Sequence, residues 1–185
     1  MPNDPRGSWS DFVRSWELFK FGPATKTTAR RSLAGDAHDI AARLEAKQTL
    51  RYPPVRFTGR QALSVAKGFA FAVARSRYHV HACSILPDHV HMVVARHHYG
   101  AEQIVRRLKQ AATLRLTGDG LHPLRACRTA TGKPPTPWVR RCWKVFLSSD
   151  EAVLRAIGYV QNNPIREGMA AQTWSFVVPY EGVRR

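Results

Sequence analysis

Cysteine is scarce: Cys83, Cys127 and Cys142 are the only three in 185 residues. An odd count without metal-type pairing excludes a disulfide framework and a zinc ribbon. Acidic residues are also few, 13 against 29 lysines and arginines, giving a formal net charge of +16. That excess predicts a polyanionic partner, with nucleic acid the default; the competing reading is a composition merely rich in arginine. No apolar run approaches the roughly 20 residues of a membrane span, so no membrane partner is expected. The opening "MPNDPRGSWSDF" lacks the basic-then-apolar order of an export signal. The chain therefore reads as cytoplasmic, with access to the nucleoid. With 44% hydrophobic residues it can bury a core, and its length suits one domain with an appended segment.

The pattern along the chain gives a coarse order of elements. "WELFKF" (16–21) alternates as a short strand, and "AHDIAARLEAK" (37–47) reads as a helix. Thr58 is placed to cap a helix over 59–75, with Leu63, Ala66, Phe69, Ala70 and Val73 as its apolar stripe. "YHVHACSIL" (78–86) and "HVHMVVA" (89–95) are β-rich runs separated only by Pro87-Asp88, which predicts two strands and a tight turn. Residues 101–116 form a basic amphipathic helix with Ile104, Leu108, Ala111 and Leu114 or Arg115 along one side. A Gly/Pro loop follows, then the aromatic and basic "WVRRCWKVFL" (138–147), readable as strand or loop. Ser148 and Glu151 have the spacing of a capping box. The helix they open should stop near Asn162 or Asn163, because Pro164 disfavours helix in its predecessor. The closing segment is expected to pack back onto the core. This order predicts an α+β fold: an antiparallel sheet with helices on one face.

Within that frame two histidine pairs stand out, His79-Val80-His81 and His89-Val90-His91. On a strand, residues two apart point to one side, about 6.5 Å apart, so either pair could converge on one ion. Spacing alone does not choose. If Pro87-Asp88 is a two-residue turn, Ala82, Ser84, Leu86, His89, His91 and Val93 share one face, and His79 and His81 lie on the other. As ordinary residues, His79 and His81 would be one core histidine and one near the edge. His97-His98 reads as a loop feature. On the last helix, "YVQNNP" puts Tyr159 and Asn163 four apart, on one helical face. A phenol beside an amide oxygen that suits a hard ion has a chemical use. The plain alternative is a half-buried tyrosine and a helix-ending asparagine.

Taken together, "PDHVHMVV" and "YVQNNPIREGM" resemble the single-tyrosine HUH transposases, most closely the REP-associated tyrosine transposases of bacteria. The signature His-hydrophobic-His corresponds to His89-Val90-His91. The nucleophile motif corresponds to Tyr159, Asn163-Pro164-Ile165-Arg166 and Gly168. The likeness spans residues 58 to 170. It implies a ferredoxin-like or RRM-like antiparallel sheet with the tyrosine helix packed beside the histidine strand. It implies Mg²⁺ or Mn²⁺ held by His89, His91 and Asn163, with Tyr159 as nucleophile. The reaction would be cleavage and strand transfer of single-stranded DNA, at hairpin or REP-type palindromic repeats, through a 5′-phosphotyrosine. On this reading 1–50 is an N-terminal extension, 51–175 the catalytic domain and 176–185 a tail. The chain departs from the family in its longer N-terminus, in Leu86 where methionine is common, and in Gly158 before Tyr159, which costs the helix about 1 kcal/mol.

Phosphate neutralisation falls to Arg106, Arg107, Lys109 and Arg115 on the basic helix, and to Arg140 and Arg141. Trp143 and Phe146 interleave with these as base-stacking residues, or serve as core. Arg166 is placed either to contact DNA or to cap its helix. A monomer and a homodimer both fit. The rival function is a module of the same fold that binds single-stranded nucleic acid without chemistry. A two-histidine hydrolase unrelated to DNA is disfavoured by the +16 charge and by the lack of an acidic general base near the pair. A relaxase-type nickase usually has a larger domain and three histidines.

Overall fold

The computed structural model describes residues 52–139, 142 and 144–182. The expected strand at 16–21 and helix at 37–47 lie outside these, as do Arg140, Arg141 and Trp143. The described residues fall into two compact units, one of residues 56–123 and 147–182, the other of residues 52–55 and 124–146. The first unit carries all the regular structure: α1 (Gly59–Ser76), β1 (Val80–Ile85), β2 (Val90–Val94), α2 (Ala101–Gly118) and α3 (Asp150–Arg166). The second consists of turns and extended segments, such as the Thr129–Lys133 turn closed by a backbone bond of 2.9 Å. Residues 138 and 139 and 144–147 form no strand.

The fold is α+β. β1 and β2 pair antiparallel, with Ala82 opposite Val93, Ser84 opposite His91 and Ile85 opposite Val90. The Leu86 N–H donates to the His89 carbonyl at 2.8 Å, closing the expected two-residue turn at Pro87-Asp88. Asp88 does not have positive φ, so the turn is not of the primed types usual in two-residue hairpins. Pro87 supplies its fixed φ at the first central position. The Phe57 N–H donates to the Pro87 carbonyl at 2.6 Å and ties the turn to the chain entering α1. Near the other end the register slips between Val80 and Ala82, a bulge that sets His81 outside the regular ladder.

Three helices pack around this hairpin: α3 against both strands, α1 against β1, and α2 against α1. Thr58 caps α1 as expected, in a reciprocal box with Gln61. α1 buries Val65, Ala66, Phe69, Ala72 and Val73, while Leu63, expected in the stripe, is exposed. α2 buries Ile104, Leu108, Ala112 and Leu116, so its stripe keeps a strict four-residue step and leaves Leu114 exposed. The two helices cross at Gly68. A β-carbon there would stand 2.6 Å from the Ala112 Cα, so only glycine admits this approach. The Ser64 hydroxyl donates to Asp119 at 2.9 Å, and Arg115 Nε donates to the same oxygen at 3.0 Å. Those bonds hold the Asp119 carboxyl below its ordinary range, with Ser64 the larger cause.

α3 differs from expectation at both ends. Its cap is Ser149, whose hydroxyl accepts from the Ala152 N–H at 3.2 Å; Ser148 is not the cap. The helix also runs through Pro164 to Arg166. Proline's φ suits a helix, and its missing N–H forfeits only one bond in the last turn. Pro164 is fully buried, which offsets that loss. Gly168, at φ 70°, then closes the end in a Schellman arrangement: Gly168 N–H to the Ile165 carbonyl at 3.0 Å, Met169 N–H to the Pro164 carbonyl at 2.8 Å. The closing segment does pack back. Phe176 is buried edge-on against Phe69, Val177 bridges Val80 in parallel, and the Gln172 side chain bonds both the N–H and the carbonyl of Ile85 at 2.8 and 2.9 Å. Gln172 thus satisfies the outer edge of β1 at Ile85, where no strand runs among the described residues. Among the described residues no helix is long and apolar enough to cross a membrane.

Candidate active site

The hairpin register puts Ala82, Ser84, His91 and Val93 on one face. α3 covers that face: Ala82, Val93 and Val160 form a buried cluster, with Val153, Ala156 and Ile157 packed on it. The stripe that seats the helix therefore also sets Tyr159, one position to its side, against His91, with Asn163 one turn further along. The His89 and His91 rings are 4.8 Å apart and nearly perpendicular. His91 meets the Tyr159 ring at 5.4 Å, again edge to face. Tyr159 is 42% exposed, so its phenol is reachable from solvent. Asn163, one turn on, is 7% exposed, and its Nδ2 has no hydrogen-bond partner among the described residues. Such an amide is not locked into a structural role.

His89 is held from the turn. Its Nδ1 lies 2.6 Å from Asp88 Oδ1, and Arg56 stands 3.9 Å from the other oxygen. A carboxylate only accepts, so Nδ1 carries the proton and donates it. In the neutral ring Nε2 is then the nitrogen with a lone pair. Asp88 is an acidic group beside the pair, where the sequence reading expects none. Its place directly before the first histidine of the pair was the available signal. Ser84 was also overlooked as a site residue; it is fully buried, faces His91 across the ladder, and its hydroxyl has no partner among the described residues.

His81 and His97 are engaged elsewhere. His81 Nδ1 donates to the Val178 carbonyl at 3.3 Å, and its ring packs on Tyr180 at 5.0 Å. Tyr180 in turn donates to Asp150 at 2.8 Å. His79 is exposed. His97 accepts from the Tyr99 N–H at Nδ1 and donates from Nε2 to the Ser76 carbonyl, both at 3.1 Å, so neither nitrogen is spare. Among the described residues no three of His, Cys, Asp and Glu converge as a cation site. Among the described residues a third protein ligand beside His89 and His91 would be of another type, such as an amide oxygen. Asn163, whose buried Nδ2 has no partner among the described residues, carries an amide that would ligate through Oδ1, and an imidazole pair with one amide oxygen suits a divalent cation such as Mg²⁺ or Mn²⁺.

The basic residues are spread over the surface. Arg106 is exposed on α2, as is Arg115, which is tied to Asp119. Lys109 is half-buried. Arg107 lays its guanidinium over the Tyr99 ring at 4.4 Å. Arg166 is exposed in the last turn of α3. In the second unit Phe146 is 72% exposed and so is not a core residue.

Compared with known proteins, the chain matches no family model, no curated protein and no solved structure.

Proposed function

We propose that this protein is an HUH-type tyrosine transesterase that cuts and rejoins single-stranded DNA beside hairpin or palindromic repeats, in the manner of a transposase. The observation that supports the reading is the run of ring contacts from His89 through His91 to Tyr159, with the buried amide of Asn163 one helical turn beyond the phenol. The two motifs, about 70 residues apart in sequence, meet at the His91–Tyr159 ring contact, and residues of these types have a joint chemical use. His89, His91 and Asn163 would hold Mg²⁺ or Mn²⁺, which when bound draws charge from a non-bridging phosphate oxygen.

The remaining work belongs to the chain. Tyr159 Oη attacks phosphorus in line, forming the Tyr–O–P bond as the P–O3′ bond breaks. The phenolic proton leaves to solvent, to which Tyr159 is open, and the departing 3′-oxygen becomes a hydroxyl. The phosphotyrosine conserves the bond energy, so a 3′-OH reverses the step without ATP. The net charge of +16 and the exposed Arg106 and Arg166 support binding of the DNA backbone.

The test is to incubate the full chain with a single-stranded hairpin oligonucleotide and Mg²⁺ or Mn²⁺ and resolve the products on a denaturing gel. A DNA-linked protein band is expected, lost in Tyr159→Phe and with chelator. Cleavage retained by Tyr159→Phe would overturn the nucleophile; tight hairpin binding without any adduct would favour a binding module that performs no chemistry.

A further inference from the structure

We infer that Asp88 is a positioning residue for His89: it fixes the imidazole in the Nδ1–H form and so presents the Nε2 lone pair to a divalent cation. The inference rests on the metal reading above and deepens it. Its basis is geometric. The Asp88 Oδ1 to His89 Nδ1 distance is 2.6 Å, short for a bond of this kind and in keeping with a charge-assisted one. Asp88 is 20% exposed, which shields the bond from competition by water. Its backbone is pinned on both sides, by the Leu86 N–H to His89 carbonyl bond of 2.8 Å and the Phe57 N–H to Pro87 carbonyl bond of 2.6 Å. The carboxylate therefore reaches the ring from a fixed turn rather than a free loop. Arg56 at 3.9 Å faces the second oxygen, but it is mostly exposed and contributes little.

A neutral imidazole alone in water favours the opposite tautomer slightly and turns about its side-chain torsions. A carboxylate behind a ligating histidine removes both freedoms and raises the basicity of the ligating nitrogen. Loss of such a partner typically costs about ten- to a hundred-fold in metal affinity.

Two readouts test this. The first is the tautomer of His89 in the full-length, metal-free protein, read from long-range ¹⁵N–¹H correlations at a pH above the imidazole range. Wild type is expected in the Nδ1–H form, and Asp88→Ala to move toward Nε2–H. The second is Mn²⁺ affinity by calorimetry or electron paramagnetic resonance. Asp88→Ala is expected to bind about ten- to a hundred-fold more weakly. Asp88→Asn, which keeps an oxygen acceptor and suits the turn, should retain the tautomer and recover part of the affinity. Wild-type His89 in the Nε2–H form overturns the inference with no variant needed. So does Asp88→Ala with unchanged tautomer and affinity, or Asp88→Asn as weak as Asp88→Ala. A wild type that shows the Nδ1–H form but binds no Mn²⁺ refutes the metal reading instead, because the tautomer readout stands without metal.

Discussion

The rings of His91 and Tyr159 meet edge to face with centroids 5.4 Å apart, one from the middle of β2 and one from α3. No equivalent contact joins Tyr159 to His79 or His81, whose strand segment faces the closing segment of the chain through Val178 and Tyr180. The two pairs should therefore separate in the cleavage assay. His89→Ala and His91→Ala are each expected to lower adduct formation by at least about a hundredfold, since metal ligation supplies several kcal/mol to the transition state. His79→Ala and His81→Ala should leave it within a few-fold of wild type. Gel quantitation of the covalent band, with circular dichroism to confirm folding, makes the comparison.

Two glycines should respond to alanine with opposite signs. At Gly68 the new β-carbon would meet Ala112 Cα at 2.6 Å and its N and the Ala111 carbonyl oxygen at 2.8 Å, all backbone. Forcing α1 and α2 apart should cost about 1–3 kcal/mol, more than the gain in helix propensity of about 1 kcal/mol. At Gly158 nothing lies within 4 Å of the added carbon. That substitution should stabilise by up to about 1 kcal/mol. Urea midpoints of the two variants read the difference directly.

Burial pushes the Cys83 thiol from 9.0 up to about 12. The native state thus prefers the protonated thiol, whereas the unfolded chain ionises it near 9. Stability from this site is full below pH 9 and is lost as pH rises from there toward 12. Wild type should therefore lose more stability than Cys83→Ala between denaturation curves taken on either side of pH 9. The thiol should also react slowly with alkylating reagents in the native protein, read by mass spectrometry.

Arg106 and Arg115 lie on the same helix but differ in what they face. Arg115 donates to Asp119, a carboxylate held ionised by Ser64 and by Arg115 itself. Part of its charge is already compensated. Arg106→Ala is expected to weaken binding to single-stranded DNA and to reduce the slope of log affinity against log salt by about 0.7. Arg115→Ala should change that slope less. Fluorescence anisotropy across a salt series distinguishes them, and equal slopes would show that Asp119 does not shield the guanidinium.

Much of this was legible along the chain because the signals are local. The Thr58 cap depends on a neighbour three residues away, and the hairpin on a two-residue interval holding a proline. Once the turn length is fixed, a period of two places His91 and Ser84 on one face. The errors are local signals overruled at longer range. Pro164 should end α3 by its effect on Asn163, yet its burial and the Schellman closure at Gly168 carry the helix onward. Leu63 and Leu114 fit apolar stripes but are exposed, because the close crossing at Gly68 rotates the contact toward Ala112.

The charge, the hairpin with its two faces, and the spacing of Tyr159 and Asn163 along one helix are properties of short stretches of chain and can be read along it. Which histidine pair the tyrosine meets is set by packing, because either pair has the right spacing and the choice depends on which sheet face α3 buries against. The tertiary structure also brought out Asp88, since a carboxylate's hold on a neighbouring ring depends on turn geometry that composition and periodicity do not carry.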